Sequence, residues 1–188
     1  MMSRALRWTA GWLLAVLVIV SPPERLLGSF TFAPASSRAP VDARVARLTQ
    51  ALDAFDARDL GGARWTRRDL RGRVVLIDFW ATWCASCLAE LPALRRLRET
   101  HGSARFEILA VNLDVLARRD LVGWLRRNDV TWPQIADGRG YGSPLAHAFD
   151  VRSLPSSLLL DRDGRITAVN LRGKALADAV DRLVYSVD

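Results

Sequence analysis

Six apolar side chains surround a single acid in the run Val74-Val75-Leu76-Ile77-Asp78-Phe79-Trp80. A near-continuous apolar run of this length, rich in β-branched and aromatic residues, reads as a strand buried on both faces. Ala81 and Thr82 follow, and then Trp83-Cys84-Ala85-Ser86-Cys87, which holds both cysteines of the chain. A helical pattern runs from about Ala85 to His101, with Leu88, Leu91, Leu94 and Leu97 as its apolar stripe. A strand thus passes directly into a helix through two thiols spaced one helical turn apart.

That spacing has direct chemical consequences. Cysteines three positions apart at a helix start are close enough to close a small disulfide ring, and there is no third cysteine to compete. Cys84 falls at the helix mouth, where unpaired N–H groups and the positive end of the helix dipole stabilise a thiolate. Cys84 is therefore assigned as the attacking nucleophile and Cys87 as the resolving thiol. A structural disulfide is one competing reading, although so short a ring restricts little unfolded-chain entropy. A structural zinc site normally takes four ligands, such as two C-x-x-C pairs; here there is one pair, and the only histidines are His101 and His147. Copper(I) bound by two thiolates is chemically reasonable and stays open.

The rest of the chain supplies the frame. Residues 28–52 read as a linker, Ser-, Ala- and Pro-rich at first, with a short helix in its second half (Val45, Leu48, Ala51 and Leu52 as apolar positions). Gly61-Gly62 lies between two short strand patterns and predicts a two-residue hairpin turn. Phe106–Leu113 reads as a second buried strand, Arg118–Asn128 as a helix, Trp132–Ala136 as a short strand and Pro144–Phe149 as a short helix. Asp137–Gly142 is glycine-rich but lacks a phosphate-loop lysine. Ser156–Leu160 and Ile166–Leu171 flank the turn Arg162-Asp163-Gly164, and an amphipathic helix closes the chain. Strands separated by helices, then a hairpin and a helix, predict an α/β domain over residues 53–188 with a mixed central sheet flanked by helices.

The N-terminus carries an address. Arg4 and Arg7 flank the thirteen-residue apolar stretch Trp8–Val20, which ends at Ser21-Pro22-Pro23. This is the layout of a secretory signal, with the positive flank held on the cytoplasmic side. Thirteen residues fall short of the roughly 20 of a full span, yet no small-residue cleavage site follows closely. The reading is a signal or membrane anchor over residues 1–27, uncleaved, with residues 8–20 in the membrane and the domain outside the cytoplasm. Beyond residue 40 the chain holds 23 basic and 19 acidic residues, interleaved along its length. A nucleic-acid site needs a concentrated basic patch, and this pattern predicts solvated faces instead.

The segment from Asp78 through Trp83-Cys84-Ala85-Ser86-Cys87-Leu88-Ala89-Glu90-Leu91-Pro92 resembles the active-site segment of thioredoxin-like proteins of the TlpA/ResA type. These are exported or membrane-anchored bacterial thiol–disulfide oxidoreductases. The likeness in element order covers roughly Phe55 to Val187. It implies a thioredoxin-like fold with an N-terminal hairpin and a helix–strand insertion between Asp114 and Phe149. It also implies that Leu154-Pro155 stands at the family's cis-proline, in a loop that faces the dithiol and contacts substrate. Asp78 takes the place of the buried thioredoxin aspartate, and Glu90 that of the family's glutamate in thiol proton chemistry. Trp83 is expected beside the dithiol, shaping its exposed surface, and Trp80 in the core. One departure is Ser86, where most relatives carry proline.

The expected function is extracytoplasmic thiol–disulfide exchange through a Cys84–Cys87 redox disulfide, with no cofactor beyond the dithiol. The resemblance points to reduction of protein disulfides, in cytochrome c maturation or copper-site assembly. It implies protein thiol substrates and a membrane-embedded thiol donor of electrons. The alternative is a copper(I)-delivery protein, although such proteins with this fold typically use C-x-x-x-C with a distant histidine.

Overall fold

Residue alternation along the strand Val74–Trp80 (β3) organises the molecule. Val74, Leu76 and Trp80 enter one apolar cluster, and Val75, Ile77 and Phe79 enter another on the opposite face of the sheet. Every residue of the strand is buried. The computed structural model describes residues 39–186. The signal or anchor read over 1–27, its apolar stretch 8–20 and the linker residues 28–38 lie outside the described residues.

β3 pairs in parallel with Phe106–Asn112 (β4), Ile77 opposite Leu109, and antiparallel with Ser156–Leu160 (β6), Ile77 opposite Leu158. The strand Gln134–Ile135 (β5) lies outside β4, and Ile166–Val169 (β7) lies outside β6. The five strands thus run β5-β4-β3-β6-β7, with the dithiol strand at the centre. This is the mixed sheet that the alternation of strand and helix patterns predicts.

Both faces are covered. The helices Ala85–His101 (α2), Arg118–Arg127 (α3) and Gly173–Tyr185 (α5) pack over the Leu76 face through Leu91, Leu94, Leu121, Leu125, Leu176 and Val180. On the Ile77 face lie the helices Ala39–Asp53 (α1) and Pro144–Ala148 (α4), with Phe55, Trp65 and Phe149 between them. Helix α2 ends at Gly102: its N–H makes the last helical bond, to Arg98 O, and its φ of 69° turns the chain out of the helix, a conformation that glycine adopts at no steric cost.

Two expectations need correction. Leu48 and Leu52 are 3% and 0% exposed within the second cluster. The packed core therefore takes in Leu48 and Leu52 of the 28–52 stretch, which its composition assigns to a linker, because α1 buries one apolar stripe against Phe55 and Trp65. The hairpin is also not closed by two residues. Asp56–Arg58 (β1) and Arg64–Thr66 (β2) pair with Arg58 opposite Arg64. Asp59 sets the longer loop: its side chain accepts from Ala63 N at 3.0 Å and from Trp65 Nε1 at 2.9 Å.

Candidate active site

The C-terminal end of β3 delivers the chain into a tight turn, with Cys84 N donating to Ala81 O at 3.2 Å. Cys84 is the N-cap of α2, and its Sγ accepts the Cys87 N–H at 3.2 Å. Side chains that cap helices usually do so with oxygen; here a sulfur does, at the place where the helix dipole favours a negative charge. Ser86 Oγ lies 3.5 Å from the same sulfur. The two cysteines are joined in a disulfide, and they are 6% and 3% exposed.

The turn is anchored from β4. Asp114 accepts from Thr82 N at 2.9 Å, Thr82 Oγ1 at 2.8 Å and Asn112 Nδ2 at 2.7 Å. Leu113 N adds a bond to Trp80 O at 2.8 Å. Trp80 itself is core, its Nε1 bonded to Gln134 Oε1 at 3.0 Å. Trp83 is 59% exposed, with its ring centroid 6.4 Å from that of Tyr141. Val115, Leu116 and Tyr141 are exposed as well.

Behind Cys87 is a small cavity of about 10 Å³, lined by Asp78, Cys87, Glu90, Pro155 and Arg172 among others. That is room for about one water. Asp78 reaches it because strand parity puts it on the face of Leu76 and Trp80, under α2 and α5. Burial pushes its carboxyl up to about 7; Arg172 opposes this and Glu90 adds to it. A buried carboxylate without full compensation shifts in this way. Glu90, on α2, accepts the backbone N–H of Gly173 at 3.1 Å.

The Leu154–Pro155 peptide bond is cis. The loop is held by Asn170, whose Oδ1 accepts from Ser157 N at 2.9 Å and is 3.2 Å from Ser156 Oγ. The structure therefore brings Asp78, Cys87, Glu90 and Pro155 to one cavity and leaves Trp83 on the surface next to Cys84. Leu154 packs against both apolar clusters.

His147, which a copper-binding reading would enlist, lies on α4 in a groove with Arg44, Leu48 and Asp150 that includes neither cysteine. His101 is buried at the far end of α2 beside Phe106 and Tyr185. Among the described residues, no three His, Cys, Asp or Glu side chains gather as a metal site. No helix of the described residues is long and apolar enough to cross a membrane.

Three residues of the site escaped the sequence reading. Asp114 had a signal: an acid just past the buried strand Phe106–Asn112, two residues from an asparagine. Asn170 and Arg172 had none, since each reaches the site through the β6–β7 pairing alone.

The sequence pattern of the AhpC/TSA family matches residues 48–169. The thioredoxin-like protein YneN of Bacillus subtilis is 28% identical over 119 residues, 62% of this chain and 67% of that protein. The thiol-disulfide oxidoreductase ResA of Bacillus cereus is 30% identical over 112 residues, 60% of this chain and 62% of the relative. The matched stretch thus spans about two thirds of these relatives or slightly less. Among solved structures, a thiol-disulfide oxidoreductase from Bacteroides fragilis superposes with a TM-score of 0.61 at 28% identity, covering 69% of this chain and 96% of that one.

Proposed function

The chain belongs to the AhpC/TSA family of thioredoxin-like proteins, and from that premise we propose how its thiol–disulfide oxidoreductase chemistry is carried out and where. The Cys84 thiolate attacks a disulfide of a protein substrate; that S–S bond breaks, one substrate sulfur leaves as a thiolate and the other is held in a mixed disulfide on Cys84. Cys87 then attacks Cys84 Sγ, closes the Cys84–Cys87 disulfide and releases the substrate thiolate. Asp78 takes the proton that Cys87 must lose, and Glu90 sets the charge around it. Trp83 and the Leu154-Pro155 loop receive the substrate chain. The observation that carries this reading is the shared cavity: Cys87, Asp78, Glu90 and Pro155 line one small space behind the disulfide.

The direction we propose is reduction of substrate disulfides outside the cytoplasm, in cytochrome c maturation or copper-site assembly. What supports it is the Trp83–Pro92 segment, the likeness to proteins named ResA and the Arg4/Arg7 flank before an apolar stretch. Residues 8–20 would hold the domain at the membrane, where a membrane-embedded thiol carrier supplies the electrons. Cells expressing Cys87→Ala provide the test. The variant should accumulate a substrate protein bound through Cys84 and released by dithiothreitol, and the captured protein names the pathway. If Cys87→Ala captures no more protein than Cys84→Ala Cys87→Ala, the mechanism is wrong.

A further inference from the structure

The cavity behind Cys87 contains a cation that the cysteine motif does not announce. Arg172 occupies the N-cap position of α5 with extended backbone angles, and it carries no capping bond from its side chain. Its guanidinium turns inward instead. Nη1 donates to Ser157 Oγ at 2.6 Å and to Leu171 O at 2.8 Å. Nη2 is buried and has no hydrogen-bond partner. A buried donor left unpaired is costly, and a guanidinium cannot escape the cost by losing its proton.

The groups around Asp78 are few. From α2 come Cys87 and Glu90, and from the start of α5 comes Arg172. Its strand partners, Ala110 on β4 and Ser157 on β6, do not titrate. Two carboxyl groups therefore share a water-sized space with one permanent positive charge. Without that charge, two acids side by side would resist ionising together, and Asp78 would keep its proton when Cys87 needs an acceptor.

We infer that Arg172 is a positioning residue for the resolving step, its pinned guanidinium keeping the Asp78 carboxylate available to the Cys87 thiol. This rests on the dithiol mechanism proposed above. In that step the Cys87 S–H proton passes to Asp78. The freed electron pair of Cys87 Sγ attacks Cys84 Sγ, and the Cys84–substrate S–S bond breaks. The substrate sulfur departs as a thiolate, so two electrons pass from the enzyme dithiol to the substrate disulfide. Arg172 touches none of the reacting sulfurs and acts through Asp78. The direction of its influence on Asp78, opposite to that of burial and of Glu90, agrees with this role.

The test separates the two thiols. Reduced full-length protein is mixed with 5,5′-dithiobis(2-nitrobenzoate): Cys84 releases one thionitrobenzoate, and attack by Cys87 releases the second. Stopped-flow traces across pH 5–9 report both steps, and iodoacetamide alkylation reports Cys84 alone. Arg172→Met should move the midpoint of the second release upward by about one pH unit, slowing it about fivefold near pH 7 and about tenfold at pH 6 and below. The alkylation profile of Cys84 should stay as in the wild type, and Arg172→Lys should recover most of the second step. If Arg172→Met does not fold, Ser157→Ala removes one of the two Nη1 acceptors and should produce a smaller shift in the same direction. Second-release profiles of the folded variants that superimpose on wild type overturn the inference alone. A wild-type protein that releases no second equivalent overturns the dithiol mechanism, and this inference with it.

Discussion

Gly173, the first residue of α5, donates its backbone N–H to Glu90 Oε2 on α2 at 3.1 Å. The acid one turn beyond Cys87 thus satisfies a free N–H at the start of the other helix over the cavity, where a negative charge meets the positive dipole end. Glu90→Gln keeps an acceptor there and removes the charge. The expected cost is about 0.3–1 kcal/mol of stability. The Asp78 midpoint should fall below about 7, because Glu90 is one of the groups that raise it. Carbon-13 NMR titration of the Asp78 carboxyl in both proteins checks this, and an unmoved or higher midpoint would show the two acids uncoupled.

Asp78 gives the fold a pH dependence of defined sign. Its carboxyl ionises near 3.8 in the unfolded chain and at about 7 in the folded one. Between those values the native state binds more protons than the unfolded state, so stability falls as pH rises through the window and levels off above it. The shift corresponds to about 4 kcal/mol at full ionisation. Asp78→Asn should therefore gain stability at pH 8, up to that order, gain little at pH 4, and lose the intervening slope. Urea unfolding of the oxidised proteins at pH 4, 6 and 8 measures all three, and parallel curves for wild type and variant would count against it.

The central strand and the helix behind the thiols were legible because their signals are local. Six apolar residues around Asp78 made β3, and leucines at three-residue spacing made α2. The side on which Asp78 lies, the face of Leu76 and Trp80, was settled only by the packing of α2 and α5 over that face. The helix α1 was underread for a physical reason: only Leu48 and Leu52 of its stripe are fully covered, and their partners Phe55 and Trp65 arrive through the hairpin. The Gly61-Gly62 signal located the hairpin but not its loop, since Asp59 competes through its side chain for the same backbone groups. Arg172 was illegible because it is one of 26 arginines, and what distinguishes it is the antiparallel pairing of β6 with β7.

Asp114 holds the turn that carries Cys84. Asp114→Ala would leave Thr82 N, Thr82 Oγ1 and Asn112 Nδ2 without their acceptor. Each donor left unpaired in a buried setting costs roughly 1–3 kcal/mol, less where water enters. We expect a net loss of about 3 kcal/mol, with Asp114→Asn losing less because one acceptor oxygen remains. Amide hydrogen exchange at Thr82 should accelerate more than at Ile77 in the middle of β3. Equal protection at Thr82 in variant and wild type would mean that Asp114 does not hold the turn.

Helix α1 is a part of the folded unit that truncation before residue 53 would remove. Leu52 is fully buried, and it packs in the cluster of Phe55, Trp65 and Phe79 on the face of the sheet opposite α2. Leu52→Ala removes three carbons from a close-packed site and leaves a cavity, which costs about 2–5 kcal/mol. Gln50, two residues earlier and exposed, serves as the control: Gln50→Ala should stay within roughly 0.5 kcal/mol of wild type. The contrast isolates packing from helix propensity, since both variants gain alanine in the same helix. Midpoints of urea unfolding at constant slope decide it. Equal midpoints for the two variants would mean that α1 lies on the domain without stabilising it, and that the core closes without the helix.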